Sequence, residues 1–547
     1  PCSTRTSGAA ACSTSHANIA RSAPTDGPAE TRVGRYITLS RSLSQDDGQP
    51  GAAPRYDGDG AAVTCGRGAH GVAARIELPA GGNRSGHQFV ARHPLRCLHP
   101  PPSRLSPGGA TVGHVQPEGW LVPDAAAGDR GDGEKVGRGA LQKAKATAAD
   151  VVGVGITNQR ESTVVWDRTT GTPLYDAVLW HDARTRETVA QLNSELGGQD
   201  ALRSVCGLPI STYFSGVKLR WLIENVPEVK QGFENGTALF GTVDTWLAWN
   251  LTGGAKGVKS GTTRRVTDVT NASRTMMMDL GSCTWHTPTI DALGVSVAAS
   301  ALPEITSSAE PLGSISDGGP LDGAPLTAMI GDQQSAMVGQ RCFESGQAKI
   351  TYGTGAFMLV NSGATPTPSK HGLLSTALYR FGKGAPTTYA LEGAVASCAV
   401  GINWFKDSLR MIDSAPEISK LASEVPNGTE GLYFVSAFGG LLAPHWRDDA
   451  RATLVGLTLA HDRRHVARAV LEGIAHQAKD VVGAMEADTG DGLTGLRVDG
   501  GVSLSNELLQ YQADLCNIAV ERPSDVETTA AGAAIAAGLG ARPLARL

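Results

Sequence analysis

Residues 327–360 read TAMIGDQQSAMVGQRCFESGQAKITYGTGAFMLV, and the rest of the chain is interpreted outward from them. An apolar run predicts a strand over residues 327–330, which ends at Gly331 and delivers Asp332 where α/β folds place catalytic groups. A carboxylate beside the amides of Gln333 and Gln334 can accept a proton and orient a polyol. Taken alone, the same residues also fit a turn with a solvated acid.

A second predicted strand, residues 348–352, runs into Gly353-Thr354-Gly355. Two glycines around a hydroxyl allow the backbone to approach a phosphate closely and to point N–H groups at it. A plain hairpin bend is the alternative. Together with the acid at position 332, this turn suggests phosphoryl transfer to an alcohol.

The composition indicates a soluble, cytoplasmic protein with more than one domain. The chain has 547 residues, a net charge of −5 and nine cysteines, none of them in a C-x-x-C pair. The negative net charge argues against nucleic acid as a partner, and the cysteine pattern fits reduced thiols. No apolar run approaches the roughly 20 residues of a membrane span. His461 and His465 lack a third ligand, so we expect surface histidines and no metal held by them.

Residues 1–139 differ from the rest of the chain in amino-acid composition and in apolar periodicity. They are dense in Gly, Pro, Ala, Arg and Ser, and neither a two-residue nor a 3.6-residue apolar period persists in them. We expect an irregular, low-complexity segment, because it has too few apolar side chains to offset the loss of conformational entropy on folding. Translation of a GC-rich frame out of phase is a second hypothesis, which the nucleotide sequence of the 5′ end would test.

From residue 140 onward the pattern is that of an α/β protein. Residues 150–157 (DVVGVGIT) form a continuous apolar run typical of a buried parallel strand, and they deliver Arg160 and Glu161. Residues 387–392 predict a strand after which Gly393 opens a helix. The last predicted helix, residues 528–539, consists of small residues and should pack tightly against a sheet.

Residues 496–498 predict a short strand that ends in Asp499-Gly500-Gly501, followed by a helix over residues 505–516. Such a junction suits the sugar or base of a nucleotide, although an ordinary turn is equally compatible. Neither a P-loop nor a dinucleotide-binding fingerprint occurs in the chain.

Six segments, in order, resemble the FGGY family of carbohydrate kinases, and within it the kinases that act on glycerol. They are residues 150–167 (DVVGVGITNQRESTVVWD), 207–221 (GLPISTYFSGVKLRW), 266–280 (VTDVTNASRTMMMDL), 330–339 (IGDQQSAMVG), 351–359 (TYGTGAFML) and 498–506 (VDGGVSLSN). The resemblance runs from about residue 140 to about residue 538.

The resemblance implies two actin-like (ribonuclease H-like) α/β lobes around a central cleft. The N-terminal lobe, residues 140–341, would bind the polyol, and the C-terminal lobe, residues 342–547, would bind the nucleotide. The implied reaction is ATP-dependent phosphorylation of glycerol to sn-glycerol 3-phosphate, with ATP and Mg²⁺ as cofactors. A homo-oligomer is left open.

The resemblance also implies a role for individual residues. Those at the polyol are Arg160, Glu161, Tyr213, Asp332, Gln333 and Phe357, with Asp332 as the general base. Those at the nucleotide are Thr354 and Gly355 at the phosphates, and Ala399, Asn403, Gly500, Gly501, Ser505 and Asn506 around the adenosine. Arg160 only donates hydrogen bonds and Glu161 only accepts them, so the pair would orient a substrate made of hydroxyls.

The chain departs from the family at its front. The family begins with a strand and hairpin bearing Asp-Gln-Gly-Thr-Thr-Ser-Thr-Arg, which supplies ligands to the phosphates, and residues 1–139 contain no such motif. Ala399 and Asn403 also stand where a glycine and a glutamine are usual. We therefore expect a first lobe without its leading strands and little turnover by the chain as given. The alternatives are a kinase for another polyol or sugar, and a non-catalytic or mistranslated relative that binds polyol without turnover.

Overall fold

The computed structural model describes residues 34–40, 62–65, 71–77 and 130–541, apart from Asp448 and Val526. The strands are β1 (Gly34–Ser40), β2 (Ala62–Cys65), β3 (Gly71–Glu77), β4 (Val151–Asn158), β5 (Thr163–Asp167), β6 (Ala238–Thr242), β7 (Val266–Asp268), β8 (Met278–Asp279), β9 (Thr284–Trp285), β10 (Glu304–Thr306), β11 (Ala309–Ser314), β12 (Pro325–Gly331), β13 (Gln347–Tyr352), β14 (Ala356–Gly363), β15 (Leu374–Tyr379), β16 (Thr388–Val395), β17 (Tyr433–Val435), β18 (Thr453–Val455), β19 (Gly495–Asp499) and β20 (Val520–Glu521).

The helices vary from single turns to a 27-residue helix, α13. They are α1 (Arg130–Ala144), α2 (Arg186–Leu196), α3 (Arg203–Cys206), α4 (Ser215–Asn225), α5 (Pro227–Glu234), α6 (Val243–Leu251), α7 (Gly254–Ser260), α8 (Val269–Ala272), α9 (Thr287–Ala292), α10 (Asp332–Gly339), α11 (Ala399–Asn403), α12 (Glu417–Ser423), α13 (Arg463–Thr489), α14 (Asn506–Cys516) and α15 (Thr528–Gly540). In the described part of the chain, no helix combines the length and the apolar character needed to cross a membrane.

The N-terminal lobe is built on a six-stranded sheet with the strand order β11-β12-β4-β3-β1-β2. Its central strands β4 and β12 are parallel, with Gly331 paired opposite Asn158. Because the carboxyl ends of parallel strands meet at one edge of a sheet, the residues that follow β4 and β12 are brought together there. This pairing confirms the two buried strands predicted for this lobe.

Three strands fall within residues 1–139, the stretch predicted to be irregular. β3 runs antiparallel to β4, and β1 pairs with both β3 and β2. The edge of β4 that we expected to lack leading strands is thus occupied by β3. Runs such as GRYITLS, rich in β-branched and aromatic residues, have the local preference for this conformation. The remaining residues of the stretch before Arg130 lie outside the described residues.

The C-terminal lobe is built on a second six-stranded sheet, with the order β15-β16-β14-β13-β19-β20. Helix α13 contributes many of the buried side chains in the core on one face of this sheet, including Val470, Ile474 and Val481. Strand β16 extends to Val395 and does not stop at Gly393, so the predicted helix start there is wrong. A Cβ atom at Gly393 would lie 2.3 Å from Cγ1 of Val481, so the glycine is required by helix-on-sheet packing.

Helix α15 packs directly against helix α10 and against the N-terminal sheet. A Cβ atom at Gly532 would lie 1.8 Å from the carbonyl oxygen of Ser335, and one at Gly339 would lie 1.9 Å from that of Thr528. On the sheet, a Cβ atom at Gly155 would lie 2.6 Å from the carbonyl oxygen of Ala533. The predicted tight packing of this small-residue helix is confirmed, and it supports α10 from behind.

Candidate active site between the lobes

Asp332 is the first residue of α10 and lies at the carboxyl end of β12. The preceding residue, Gly331, donates its N–H to Oγ1 of Thr270 at 2.8 Å, which fixes the backbone at the start of the helix. Asp332 is buried, and burial raises its pKa to about 6, although the guanidinium of Arg160 acts in the opposite direction. The carboxylate is therefore ionised at neutral pH yet basic enough to accept a proton.

Arg160 follows β4 and reaches three acids at once. Its Nε lies 3.3 Å from Oδ1 of Asp332 and 3.7 Å from Oε1 of Glu161. Its terminal nitrogens form a bidentate pair with Glu392 of β16, at 2.5 and 2.8 Å. The parallel pairing of β4 and β12 thus places the arginine beside the acid, and strand β16 of the other lobe holds it there.

Arg274 completes a buried network of charges at the lobe boundary. Its Nε donates to Oε1 of Glu161 at 2.6 Å, and its Nη2 donates to Oε1 of Glu392 at 3.2 Å. The guanidinium also lies 5.5 Å from the ring centroid of Tyr213 and 5.4 Å from that of Phe214. Buried charges persist only when they are paired and hydrogen-bonded, and here two arginines and two glutamates neutralise one another.

Lys349 brings a further buried cation to the site, from β13 of the C-terminal lobe. Its Nζ donates to Oε1 of Gln333 and, at 2.8 Å, to Oγ1 of Thr351. Burial lowers the pKa of Lys349, and the nearby carboxylates of Asp499 and Asp332 oppose that change. Since the amide oxygen of Gln333 accepts from Lys349, its amide nitrogen is the group that can still act as a donor.

An aromatic wall formed by Tyr213, Trp180 and Phe357 connects the lobes. The ring of Trp180 lies edge-on to that of Tyr213 and to that of Phe357, each with ring centroids 5.8 Å apart. The hydroxyl of Tyr213 is 3.5 Å from Nη2 of Arg160. The wall therefore places an apolar surface next to the charged cluster, as recognition of a carbon chain bearing hydroxyls requires.

The Gly353-Thr354-Gly355 turn is the hairpin between β13 and β14. The carbonyl oxygens of Gly353 and Thr354 accept from the N–H groups of Ala399 at 3.1 Å and Cys398 at 2.9 Å, which join the turn to the start of α11. A Cβ atom at Gly355 would lie 2.7 Å from the carbonyl oxygen of Val395, so no side chain fits there. The exposed Thr354 stands at the tip of this hairpin.

The other expected nucleotide residues lie around the same end of the C-terminal sheet. Gly500 has a φ of +83°, and a Cβ atom there would lie 2.4 Å from the carbonyl oxygen of Tyr352, next to the hairpin. Ser505 caps helix α14 by accepting from the N–H of Leu508 at 3.2 Å. The structure joins the hairpin to Ala399 and Gly500 through these backbone contacts. Asn403 is exposed at the end of α11, and Gly501 is exposed directly after Gly500.

Asn506 lines a pocket of about 330 Å³ between α12, α13 and α14. Arg468, Glu472 and Tyr511 are among the other residues that line it. Within the lining, Nε of Arg468 is paired with Oε1 of Glu472 at 2.6 Å. It contains none of the acids of the charged cluster and so lies apart from the expected site of proton transfer.

Among the described residues, no group of three or more His, Cys, Asp or Glu side chains could hold a metal ion. Mg²⁺ binds nucleotide phosphates with only one or two carboxylates from the protein, the rest of its ligands being phosphate and water oxygens. His465 is buried and lies 3.1 Å from Oδ1 of Asp462 at the start of α13, so the expectation of a surface residue is wrong for it.

Four residues of the site were missed by sequence reasoning: Trp180, Arg274, Lys349 and Glu392. Glu392 and Lys349 each stand in the interior of a strand and are fully buried. A charged residue in the middle of a buried strand requires a partner, and this is the signal that could have identified both.

Comparison with known proteins identifies both halves of the described chain. The model of the FGGY family of carbohydrate kinases matches with its N-terminal domain over residues 134–339 and with its C-terminal domain over residues 348–541. A protein of Acidiphilium cryptum named glycerol kinase is 49% identical over 421 residues, which cover 77% of this chain and 82% of that protein. One of Arabidopsis thaliana with the same name is 49% identical over 413 residues, covering 73% of this chain and 77% of that protein.

The fold is shared with solved structures. The glycerol kinase of Plasmodium falciparum with ADP superposes with a TM-score of 0.70 at 34% identity, covering 86% of this chain and 87% of that one. A ligand-bound xylulose kinase of Lactobacillus acidophilus superposes with a TM-score of 0.65 at 20% identity, covering 77% and 80%. The second likeness concerns the two-lobed fold alone.

Proposed function

The chain belongs to the FGGY family of carbohydrate kinases, and we propose that it transfers the γ-phosphoryl group of ATP to a terminal hydroxyl of glycerol. The product is sn-glycerol 3-phosphate. The observation that carries this proposal is the contact between Arg160 and Asp332, 3.3 Å apart and buried at the boundary of the lobes. This contact places the guanidinium of Arg160, which can donate to substrate hydroxyls, beside the carboxylate of Asp332, which can act as a base.

Recognition of glycerol rests on the polar groups at the boundary. Glycerol has three hydroxyls and little apolar surface, so a site for it needs buried donors and acceptors. Arg160, Tyr213 and Gln333 supply donors, and Glu161 supplies an acceptor. Such a site rejects analogues that lack a hydroxyl, because its own polar groups would remain unpaired. Phe357, held edge-on by Trp180, covers the carbon chain.

Asp332 acts as the general base. A terminal hydroxyl of the substrate gives its proton to the carboxylate, its oxygen forms the new bond to the γ-phosphorus, and the bond to the β–γ bridging oxygen breaks to release ADP. The reaction depends mainly on alignment and on neutralising charge. A carboxylate with a pKa of about 6 is deprotonated at neutral pH and ready for this role.

The C-terminal lobe holds the nucleotide. Thr354 and Gly355 meet the phosphates at the tip and base of the β13–β14 hairpin. Ala399, Asn403, Gly500, Gly501, Ser505 and Asn506 surround the adenosine. Mg²⁺, carried by the phosphates, would neutralise their charge.

A homo-oligomer stays open, and two expectations stay predictions: a cytoplasmic location and reduced activity of the chain as given. The last depends on residues 1–139, which lack the leading Asp-Gln-Gly-Thr-Thr-Ser-Thr-Arg motif of the family. This absence is what favours the second candidate function, a relative that binds polyol without turnover.

Two measurements on the full chain separate the candidates. Calorimetric titration with glycerol and with ATP reports each binding step, and a coupled assay reports release of ADP. We expect glycerol to bind and to stimulate only a slow release of ADP, because residues 1–139 lack the family's leading motif. Glycerol binding without ATP binding or ADP release would favour the non-catalytic relative, and absence of glycerol binding would overturn both.

A further inference from the structure

Three carboxylates compete for the single guanidinium of Arg160. Glu392 takes both terminal nitrogens, at 2.5 and 2.8 Å, while Asp332 has one contact with Nε at 3.3 Å. Glu161 is more distant, at 3.7 Å from the same Nε. Bidentate pairs of this kind are the strongest that arginine makes. The candidate base thus keeps only a single, longer contact with the cation beside it.

Glu392 is held rigidly in the middle of a strand. It is fully buried on β16, where its neighbours across the sheet are Leu359 of β14 and Leu374 of β15. Its Oε1 also accepts from Nη2 of Arg274 at 3.2 Å. Its backbone belongs to the C-terminal sheet, whereas Arg160 and Asp332 follow strands of the N-terminal sheet.

We infer that Glu392 is a positioning residue, which keeps Arg160 from forming a bidentate ion pair with Asp332 and thereby preserves Asp332 as a base. The inference rests on the proposed function. A carboxylate clamped by both terminal nitrogens of an arginine is stabilised in its ionised form and accepts a proton poorly. Glu392 therefore acts through Arg160 and needs no contact with substrate.

The charged groups that face Asp332 determine how a replacement of Glu392 would change the pKa of Asp332. Arg160 and Glu161 face it from the segment after β4, and Lys349 faces it from β13. Burial raises the pKa of Asp332, while Arg160 and Lys349 hold it lower. In Glu392→Gln the terminal nitrogens of Arg160 lose their charged acceptor, and Asp332 is the nearest acid able to receive them.

The test measures the titration of Asp332 in two ways, from the pH dependence of kcat and from an NMR resonance that needs no turnover. In Glu392→Gln we expect kcat to fall about tenfold or more. The acid limb of its pH profile should move down by about one pH unit. The ¹³C resonance of the Asp332 carboxyl, assigned by its absence in Asp332→Asn, should titrate at the same lower pH. Because the resonance needs no catalysis, failure of the inference is distinguishable from failure of the proposed function.

Two further variants keep the test decisive. Glu392→Asp retains the charge with a shorter reach, so its shift should have the same direction and a smaller size. If Glu392→Gln does not fold, this variant decides. Asp488→Asn is the matched control, since Asp488 is a buried carboxylate outside the cluster, hydrogen-bonded to Ser369 and His371. An unshifted Asp332 titration in the Glu392 variants, or an equal shift in the control, would overturn the inference.

Discussion

The Nε atom of Arg160 lies 3.3 Å from Oδ1 of Asp332, although the two residues belong to different segments of the chain. The contact exists because β4 and β12 are parallel neighbours and end together, with Asn158 opposite Gly331. An acid that is buried beside a cation, but not fully paired with it, has the properties of a base that works near neutral pH.

Replacement of the base is the most direct prediction. In a version of the chain that carries the family's leading motif, Asp332→Asn should lower kcat by roughly 10²–10⁴-fold, the usual contribution of a general base. Glycerol should still bind in a calorimetric titration, because the isosteric amide keeps the shape of the site. The melting temperature should be unchanged or higher, because a buried ionised carboxylate has been removed. Unchanged turnover would remove Asp332 from the role of base.

The pH dependence of kcat follows from the same residue. Its raised pKa of about 6 means that the active, ionised form is complete above that pH and is lost as the pH falls through it. Below pH 6 we expect kcat to fall about tenfold per pH unit. A profile that stays flat down to pH 4.5, measured with enzyme shown to be folded at each pH, contradicts this assignment.

Arg274 should be essential for stability. Arg274→Met leaves Glu161 and Glu392 buried with half of their positive charge removed, and breaking a buried pair in this way costs about 3–5 kcal/mol. Denaturant unfolding measures the loss. Lys230→Met is the comparison, because Lys230 and its partner Glu234 are 60% and 54% exposed and such pairs contribute about 0–1 kcal/mol. Equal losses in the two variants would be inconsistent with a special role for the buried network.

Gly355 should matter to the nucleotide and not to the polyol. In Gly355→Ala the new methyl group would lie 2.7 Å from the carbonyl oxygen of Val395, so the hairpin must shift. We expect KM for ATP to rise about tenfold or more through loss of alignment at the phosphates, with glycerol affinity unchanged by calorimetry. Gly483→Ala, in helix α13 with no atom within 4 Å of the new Cβ, serves as the control. A selective loss of glycerol binding would contradict the prediction, because it would show that the hairpin contributes to the glycerol site and not to the ATP site.

The front of the chain should limit its activity. Without the Asp-Gln-Gly-Thr-Thr-Ser-Thr-Arg motif in residues 1–139, we expect little turnover by the chain as given. A hybrid in which the family's leading segment replaces these residues should be roughly 10²–10³-fold faster, the effect of restoring donors to a developing charge. The coupled ADP assay compares the two, and equal rates would show that the motif is dispensable.

The parts of the site carried by local sequence were predictable. The strand before Asp332, the glycine hairpin and the run that delivers Arg160 each have a short, recognisable pattern. Glu392 lies in no short, recognisable pattern. Its partner Arg160 is 232 positions away, and its strand was predicted to end at Glu392 itself. Gly393 was misread for the same reason, since its close contact with Val481 exists only once α13 has packed. Residues whose role depends on distant neighbours leave no signal in their own segment beyond an unexplained charge or glycine.

The close packing of α15 on α10 has a consequence for biosynthesis. Helix α10 begins with Asp332, but Gly339 and Ser335 on its rear face touch backbone atoms of a helix that ends only at Gly540. A ribosome therefore completes the catalytic acid long before it makes the helix that supports it. That face of α10 can therefore be covered only after Thr528–Gly540 has been synthesised, so the last helix of the described chain completes the packing behind the catalytic acid.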